Sequence, residues 1–205
     1  MKTLIISPHA DDEVFGAFSF LEHAEVGIIS VEESKVHGKR PSIKDRIMEA
    51  NKVSNYVGES SIYHIGYELP VNHYHLWLDD LAHFIECKIN GIKPELLLIP
   101  YPSINQDHSA VYQACLIALR HHDKNHFVKK VLMYECPQSY LWGDPMTPNY
   151  FKEVDIKKKL KAYKLYKSQV RSYRSLELLK RMAEHRGKQA KLKYAEGFRV
   201  LRYIE

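Results

Sequence analysis

Two patterns of apolar positions alternate along the chain. Short unbroken runs rich in Ile, Leu and Val occupy residues 3–7, 26–31, 61–65, 95–100 and 131–134. Runs of this length and density predict strands buried on both faces of a parallel sheet. Between them the apolar residues recur at three- and four-residue spacing, which predicts amphipathic helices. Val14, Phe15, Ala17, Phe18 and Leu21 crowd one side of a helix beginning near Glu13. Ile43, Ile47, Ala50, Val53 and Val57 do the same over residues 42–57, with Gly58 as the stop. Further helices are expected over 76–89 and 109–120. Residues 136–150, rich in Pro, Gly and aromatics, predict a long functional loop, and the chain from Asp155 onward reads as mainly helical.

Strands alternating with helices imply an α/β layered fold with a mostly parallel sheet. No repeat and no linker-like stretch divides the chain, and 205 residues suit a single domain over 1–205. In such sheets ligands bind beyond the C-terminal strand ends, where the strand order reverses. That rule singles out two loops, the one after Ser7 and the one after Pro100. The first reads Pro8-His9-Ala10-Asp11-Asp12-Glu13 and the second Tyr101-Pro102-Ser103-Ile104-Asn105-Gln106-Asp107-His108. Both are dense in imidazole and carboxylate, a donor mix that suits zinc. Three protein ligands would leave one position open, as in a catalytic rather than a structural site. The bland alternative is that Asp11 or Asp12 caps the first helix and His108 merely begins another.

Composition narrows the classes. At 45% hydrophobic residues the chain is a folded globular protein, and no apolar run approaches the roughly 20 residues of a membrane-spanning helix. The N-terminus runs straight into acidic residues, unlike a secretory signal. Cys87, Cys115 and Cys136 are scattered, so a reduced, cytoplasmic location is expected. Charge is uneven: residues 157–205 hold 16 Lys and Arg against 4 Asp and Glu. A basic nucleic-acid-binding module without catalysis would produce such a quarter. So would a rim attracting an anionic substrate, or a solvated helix face over the stripe Leu160, Tyr163, Leu165, Tyr166 and Val170. Helical spacing of that stripe favours the solvated face.

PHADDE after the first strand and NxDH after the later one resemble the LmbE/PIG-L family of zinc-dependent N-deacetylases. That family commonly carries P/A-H-P-D-D-E and H-x-D-H. Arg46-Ile47-Met48-Glu49-Ala50 before Gly58 is similar to its R-x-x-E-A…G helix, and Pro94-Glu95-Leu96 to its P-D/E strand. Val154-Asp155-Ile156 with Ser168-Gln169 looks like its DI…SQ stretch, and Tyr194-Ala195-Glu196-Gly197-Phe198 like its terminal YAE-x-F. The resemblance spans nearly the whole chain. It implies a Rossmann-like three-layer sandwich with the metal site at the C-terminal strand ends.

Carried over residue by residue, the resemblance makes His9, Asp12 and His108 ligands of one Zn2+ per chain and Asp11 the general base. It implies hydrolysis of the acetyl group of an N-acetylglucosamine-type amino sugar, a small-molecule partner, and room for a homo-oligomer. Two departures stand out. Ala10 replaces the usual proline, removing no functional atom. Asn105 stands where many relatives have histidine; its amide can donate to an oxyanion but cannot carry a positive charge. Asp107, grouped with Asp11 and Asn105 as a catalytic residue, then has the task of orienting His108 or another group around the metal. Arg46, His73 (in His73-x-His75) and Trp142 are the expected substrate contacts, Trp142 joining Tyr140 and Tyr150 in an aromatic wall. Arg46 has the competing reading of an ion pair with Glu49 at i+3. A metal-dependent amidase acting on a non-sugar amide is the alternative activity. No GxGxxG, GxxxxGK[ST] or GxSxG supports a nucleotide-binding or serine-hydrolase reading.

Overall fold

The five apolar runs become β1 (Thr3–His9), β2 (Ala24–Ser30), β3 (Ile62–Ile65), β4 (Leu96–Pro100) and β5 (Lys130–Tyr134). All five are mutually parallel. The structure is a computed structural model, and it describes residues 1–30, 42–58, 62–66, 69, 71–121, 125–141 and 145–205. Val31 and Ser61, at the ends of two expected strands, and Trp142 lie outside the described residues. The helices are α1 (Asp12–Ala17), α2 (Ile43–Val57), α3 (Leu78–Ile92), α4 (Gln106–Ala118), α5 (Pro137–Leu141), α6 (Ile156–Tyr163) and α7 (Leu176–Gln189).

The seven-stranded sheet has the order β3-β2-β1-β4-β5-β7-β6. Strand order reverses between β1 and β4, which pair directly through Thr3 with Leu96 and Ile5 with Leu98. Both faces are covered, because successive side chains leave a strand on opposite sides. Ile5, Leu96, Leu98 and Leu132 join one core with α1, α2, α6 and α7. Leu4, Ile6, Leu97 and Ile99 join the other with α3 and α4. This is the expected three-layer α/β sandwich.

The C-terminal quarter corrects the sequence reading. After Asp155 come not helices alone but also β7 (Ala195–Tyr203), antiparallel to β5, while β6 (Tyr150–Glu153) forms the sheet edge against β7. Arg199 and Arg202 stand three residues apart with Val200 and Leu201 between them, a spacing that reads as helical and hid the strand's period of two. The expected loop over 136–150 contains the short helix α5, and its Tyr150 stacks on Phe20 at 6.4 Å and meets Phe198 edge-on at 6.0 Å. That ring covers core rather than forming a sugar wall.

The basic excess is also partly internal: Lys159, Arg174 and Arg186 are buried. Lys159 Nζ donates to Glu196 at 2.6 Å and to the Phe15 carbonyl at 2.7 Å, and Arg186 is paired with Glu135. Glu196 also accepts the backbone N–H groups of Phe18 and Ser19, fastening β7 to the end of α1. All three cysteines are free.

α1 lies close on the sheet because Gly16 has no side chain. A Cβ there would stand 2.1 Å from the Glu135 carbonyl oxygen and 2.4 Å from the Tyr134 ring. This close approach fixes the start of α1 over the ends of β1 and β5, and so fixes the loop between β1 and α1.

Candidate metal centre

β1 delivers His9, the start of α1 delivers Asp12, and the first turn of α4 delivers His108. Asp12 Oδ2 lies 3.3 Å from His9 Nδ1 and 3.2 Å from His108 Nε2. One ligand atom from each residue falls within 4.8 Å of the others, and all three residues are buried. Among the described residues His108 Nδ1 has no hydrogen-bond partner and Nε2 faces only the Asp12 carboxylate, although the side chain is fully buried. Buried polar atoms are rarely left unpaired, and a triangle of two imidazoles and a carboxylate is a divalent-metal donor set. The residues present can therefore hold a metal ion.

Asp107 orients this triangle. Its Oδ2 accepts from His9 Nε2 at 3.1 Å and from the Asn72 N–H at 2.8 Å, while Oδ1 accepts the Tyr74 N–H at 3.4 Å. With the proton held at Nε2, the lone pair of a neutral His9 sits on Nδ1, the atom that faces Asp12. The Tyr74 ring packs 5.6 Å from that of His9 and its hydroxyl donates to the Pro8 carbonyl at 3.3 Å. Burial lowers the pKa of His9, but the hydrogen bonds to Asp107 and Asp12 outweigh it and raise the imidazole to about 9. Burial would raise Asp12, yet His108 and His9 hold it well below the usual carboxylate range. The site thus sets the Asp12 carboxylate between two imidazoles, of which His9 is held in its protonated form.

Neither aspartate caps α1 with its side chain. Asp11 instead adopts φ 132°, ψ −24°, a conformation that costs a non-glycine residue about 1–3 kcal/mol and persists only where neighbours enforce it. Its N–H donates to Glu13 Oε2 at 3.1 Å, and its carbonyl accepts the N–H groups of Val14 and Phe15. Glu13 is held in turn by the Tyr166 hydroxyl at 2.5 Å and the Tyr63 hydroxyl at 3.4 Å. Burial pushes Glu13 up to about 7, against the hydrogen bond from Tyr166. The Asp11 carboxylate points to Arg174, whose Nη1 donates to Oδ2 at 3.1 Å, and Oδ1 has no partner among the described residues. Burial raises the Asp11 pKa while Arg174 opposes the rise.

The remaining expected site residues divide. Asn105 caps α4: its Oδ1 accepts the N–H of Asp107 at 2.9 Å and of His108 at 3.5 Å, leaving only the amide nitrogen to donate elsewhere. Arg46 is 1% exposed, and its guanidinium donates to the Ala10 carbonyl at 2.7 Å and to Ser168 Oγ at 3.1 Å. Glu49 stands 3.7 Å away, so the i+3 pair exists alongside a grip on the loop carrying Asp11. His73 is exposed, flanked by the two residues whose N–H groups hold Asp107.

Sequence reasoning missed Arg174, Glu13 and Tyr74. Arg174 sits in a basic run where every cation looks solvated, and only its place five residues after the Ser168-Gln169 pair set it apart.

Neither a family model nor a curated protein sequence matches the chain. Solved structures do. A deacetylase of the teicoplanin biosynthesis pathway superposes with a TM-score of 0.75 at 19% identity, covering 100% of both chains. N,N'-diacetylchitobiose deacetylase from Pyrococcus horikoshii gives 0.70 at 17% identity, over 98% of this chain and 84% of its own. The 4-carboxy-2-hydroxymuconate hydratase of Pseudomonas putida KT2440 gives 0.71 at 21% identity, over 100% and 99%. The fold is that of deacetylases of the LmbE/PIG-L type, and it also hosts a hydratase.

Proposed function

We propose that the protein is a zinc-dependent hydrolase that removes the acetyl group from an N-acetylated amino sugar, as a member of the LmbE/PIG-L family. The observation that carries this reading is the buried triangle His9–Asp12–His108 beside Asp11, a carboxylate with one unpartnered oxygen. His9, Asp12 and His108 would hold the ion. When bound, zinc supplies a Lewis acid that polarises the acyl carbonyl and lowers the pKa of water toward about 7.

The chain's own residues then have defined tasks. Asp11 Oδ1 takes a proton from the attacking water as its oxygen bonds to the acyl carbon. As the C–N bond breaks, Asp11 returns that proton to the departing nitrogen, so N-acetyl amine and water become acetate and amine. The Asn105 amide N–H donates to the oxyanion that develops on the carbonyl oxygen. Asp107 keeps His9 in the required tautomer. The Arg46 guanidinium holds the Ala10 carbonyl beside the base, and exposed His73 contacts the substrate. The deacetylases among the structural neighbours support the reaction class; their fold alone does not fix it, since the hydratase shares that fold.

The test begins with bound metal after extensive dialysis, wild type against Asp12→Ala. About one zinc per chain in the wild type and little in the variant is expected. Acetate release is then followed from N-acetylglucosamine, N,N'-diacetylchitobiose and a non-sugar acetamide. Release from the sugars that disappears in Asp11→Asn supports the reading. Release from the acetamide alone replaces it with the amidase, and negligible zinc in both proteins even after zinc is added overturns it.

A further inference from the structure

Arg174 lies far in sequence from both motif loops, yet its guanidinium donates directly to the Asp11 carboxylate. The residue is 7% exposed, and it reaches Asp11 across 163 positions of chain. Its Nη1 is 3.1 Å from Asp11 Oδ2 and 3.5 Å from Gln169 Oε1, and its Nε has no partner among the described residues. The turn that carries it is pinned twice. Arg171 and Arg174 exchange backbone hydrogen bonds, and Ser168 gives its N–H and hydroxyl to Glu49 at 2.9 and 2.6 Å. Glu49 stands beside Arg46, which grips the Ala10 carbonyl. Two arginines, one from α2 and one from the turn before α7, therefore hold the successive residues Ala10 and Asp11.

From this geometry we infer that Arg174 is a positioning residue for the reaction: by engaging Oδ2 of Asp11 it fixes the carboxylate so that Oδ1 is the oxygen presented to the attacking water. The inference rests on the hydrolase reading. Three observations bear on it independently of substrate. Asp11 is 1% exposed, so its carboxylate has no bulk water to settle its rotation. Its backbone is already held at positive φ by Glu13, leaving the side-chain torsions as the remaining freedom. Among the described residues Arg174 alone donates a hydrogen bond to that carboxylate. A planar guanidinium anchored in a pinned turn sets direction as well as charge, which a flexible ammonium does less well.

The experiment uses the full-length, zinc-loaded protein and the sugar panel above. Arg174→Ala is expected to lose about 100-fold in kcat with KM and bound zinc unchanged, the cost of a base displaced by about an ångström. Arg174→Lys is expected to recover part of the loss. In the Asp11→Asn background Arg174→Ala should slow the reaction no further, because nothing remains to be positioned. A raised KM with kcat intact makes Arg174 a substrate contact and overturns the inference, as does loss of zinc or an unchanged kcat.

If the wild type hydrolyses none of the panel, the hydrolase reading fails, and the engagement of Asp11 by Arg174 is decided by urea unfolding. Asp11→Ala leaves a buried arginine unpaired, so adding Arg174→Ala should restore stability. A coupling of about tenfold or more in the unfolding constant supports the engagement, and additive effects overturn it.

Discussion

Replacing Asp107 by alanine separates an orienting residue from a ligand. Asp107 touches no proposed metal position; it accepts from His9 Nε2 and from two backbone N–H groups of the 72–74 segment. In Asp107→Ala, His9 loses the acceptor that keeps its proton on Nε2. The competing tautomer carries a proton on Nδ1, where a lone pair is needed. Loss of an outer partner of a metal-ligating histidine typically weakens metal binding about 10–100-fold, or about 1.4–2.8 kcal/mol. Asn105 still caps α4, so His108 stays in place and the loss should not exceed that range.

The assay is zinc competition against a chromophoric chelator at fixed pH for wild type, Asp107→Ala, Asp107→Asn and Asp12→Ala. Asp107→Asn retains one acceptor oxygen and should fall between wild type and alanine. Asp12→Ala removes a ligand outright and should be the weakest. An Asp107→Ala affinity within about twofold of wild type would refute the orienting role, because the tautomer would then be indifferent to its partner. An affinity as low as that of Asp12→Ala would refute it in the other direction and make Asp107 a ligand.

Three further outcomes follow from the same contacts. Arg46→Ala removes a fully buried guanidinium and the donor it gives the Ala10 carbonyl, while Glu49 keeps Ser168; urea unfolding should show a loss of about 1–3 kcal/mol, and a change near zero would deny the clamp. Gly16→Ala forces a methyl against the Glu135 carbonyl, so α1 must lift; a loss of about 3 kcal/mol is expected in the same assay, with weaker zinc binding because Asp12 begins that helix. Asp45 and Ser42 form a capping box at the start of α2, and the Ser42 hydroxyl and N–H hold the Asp45 carboxyl below its ordinary 3.8. A depressed folded value means that its contribution is present above 3.8 and is lost as pH falls through the lower folded value. The melting difference between wild type and Asp45→Ala should therefore be visible at neutral pH and close in acid.

The sequence by itself determined the layered parallel sheet, because a strand buried on both faces must be apolar at every position and that pattern survives in one dimension. It also determined which loops matter. PHADDE begins in the last residues of β1 and NxDH opens α4 beyond β4, so both were readable as strand-end chemistry from order alone, and His9, Asp12 and His108 do converge.

Tertiary structure decided the rest, through contacts that join residues distant in sequence. β7 carries Arg199 and Arg202 three residues apart, out of step with a strand's period of two, and became a strand only because β5 and β6 flank it. The division of labour among the polar residues was likewise invisible. Arg46 and Glu49 could be a surface ion pair on any helix, and only the packing of α2 against the 168–174 turn makes them a buried clamp on Ala10. Arg174 could have been one more solvated cation of a basic quarter. It meets Asp11 because α6, the turn and α7 lie over the β1–α1 loop. Local spacing records which groups a chain owns, but in a dry interior a charge takes its role from the partner that compensates it, and that partner is chosen by the fold.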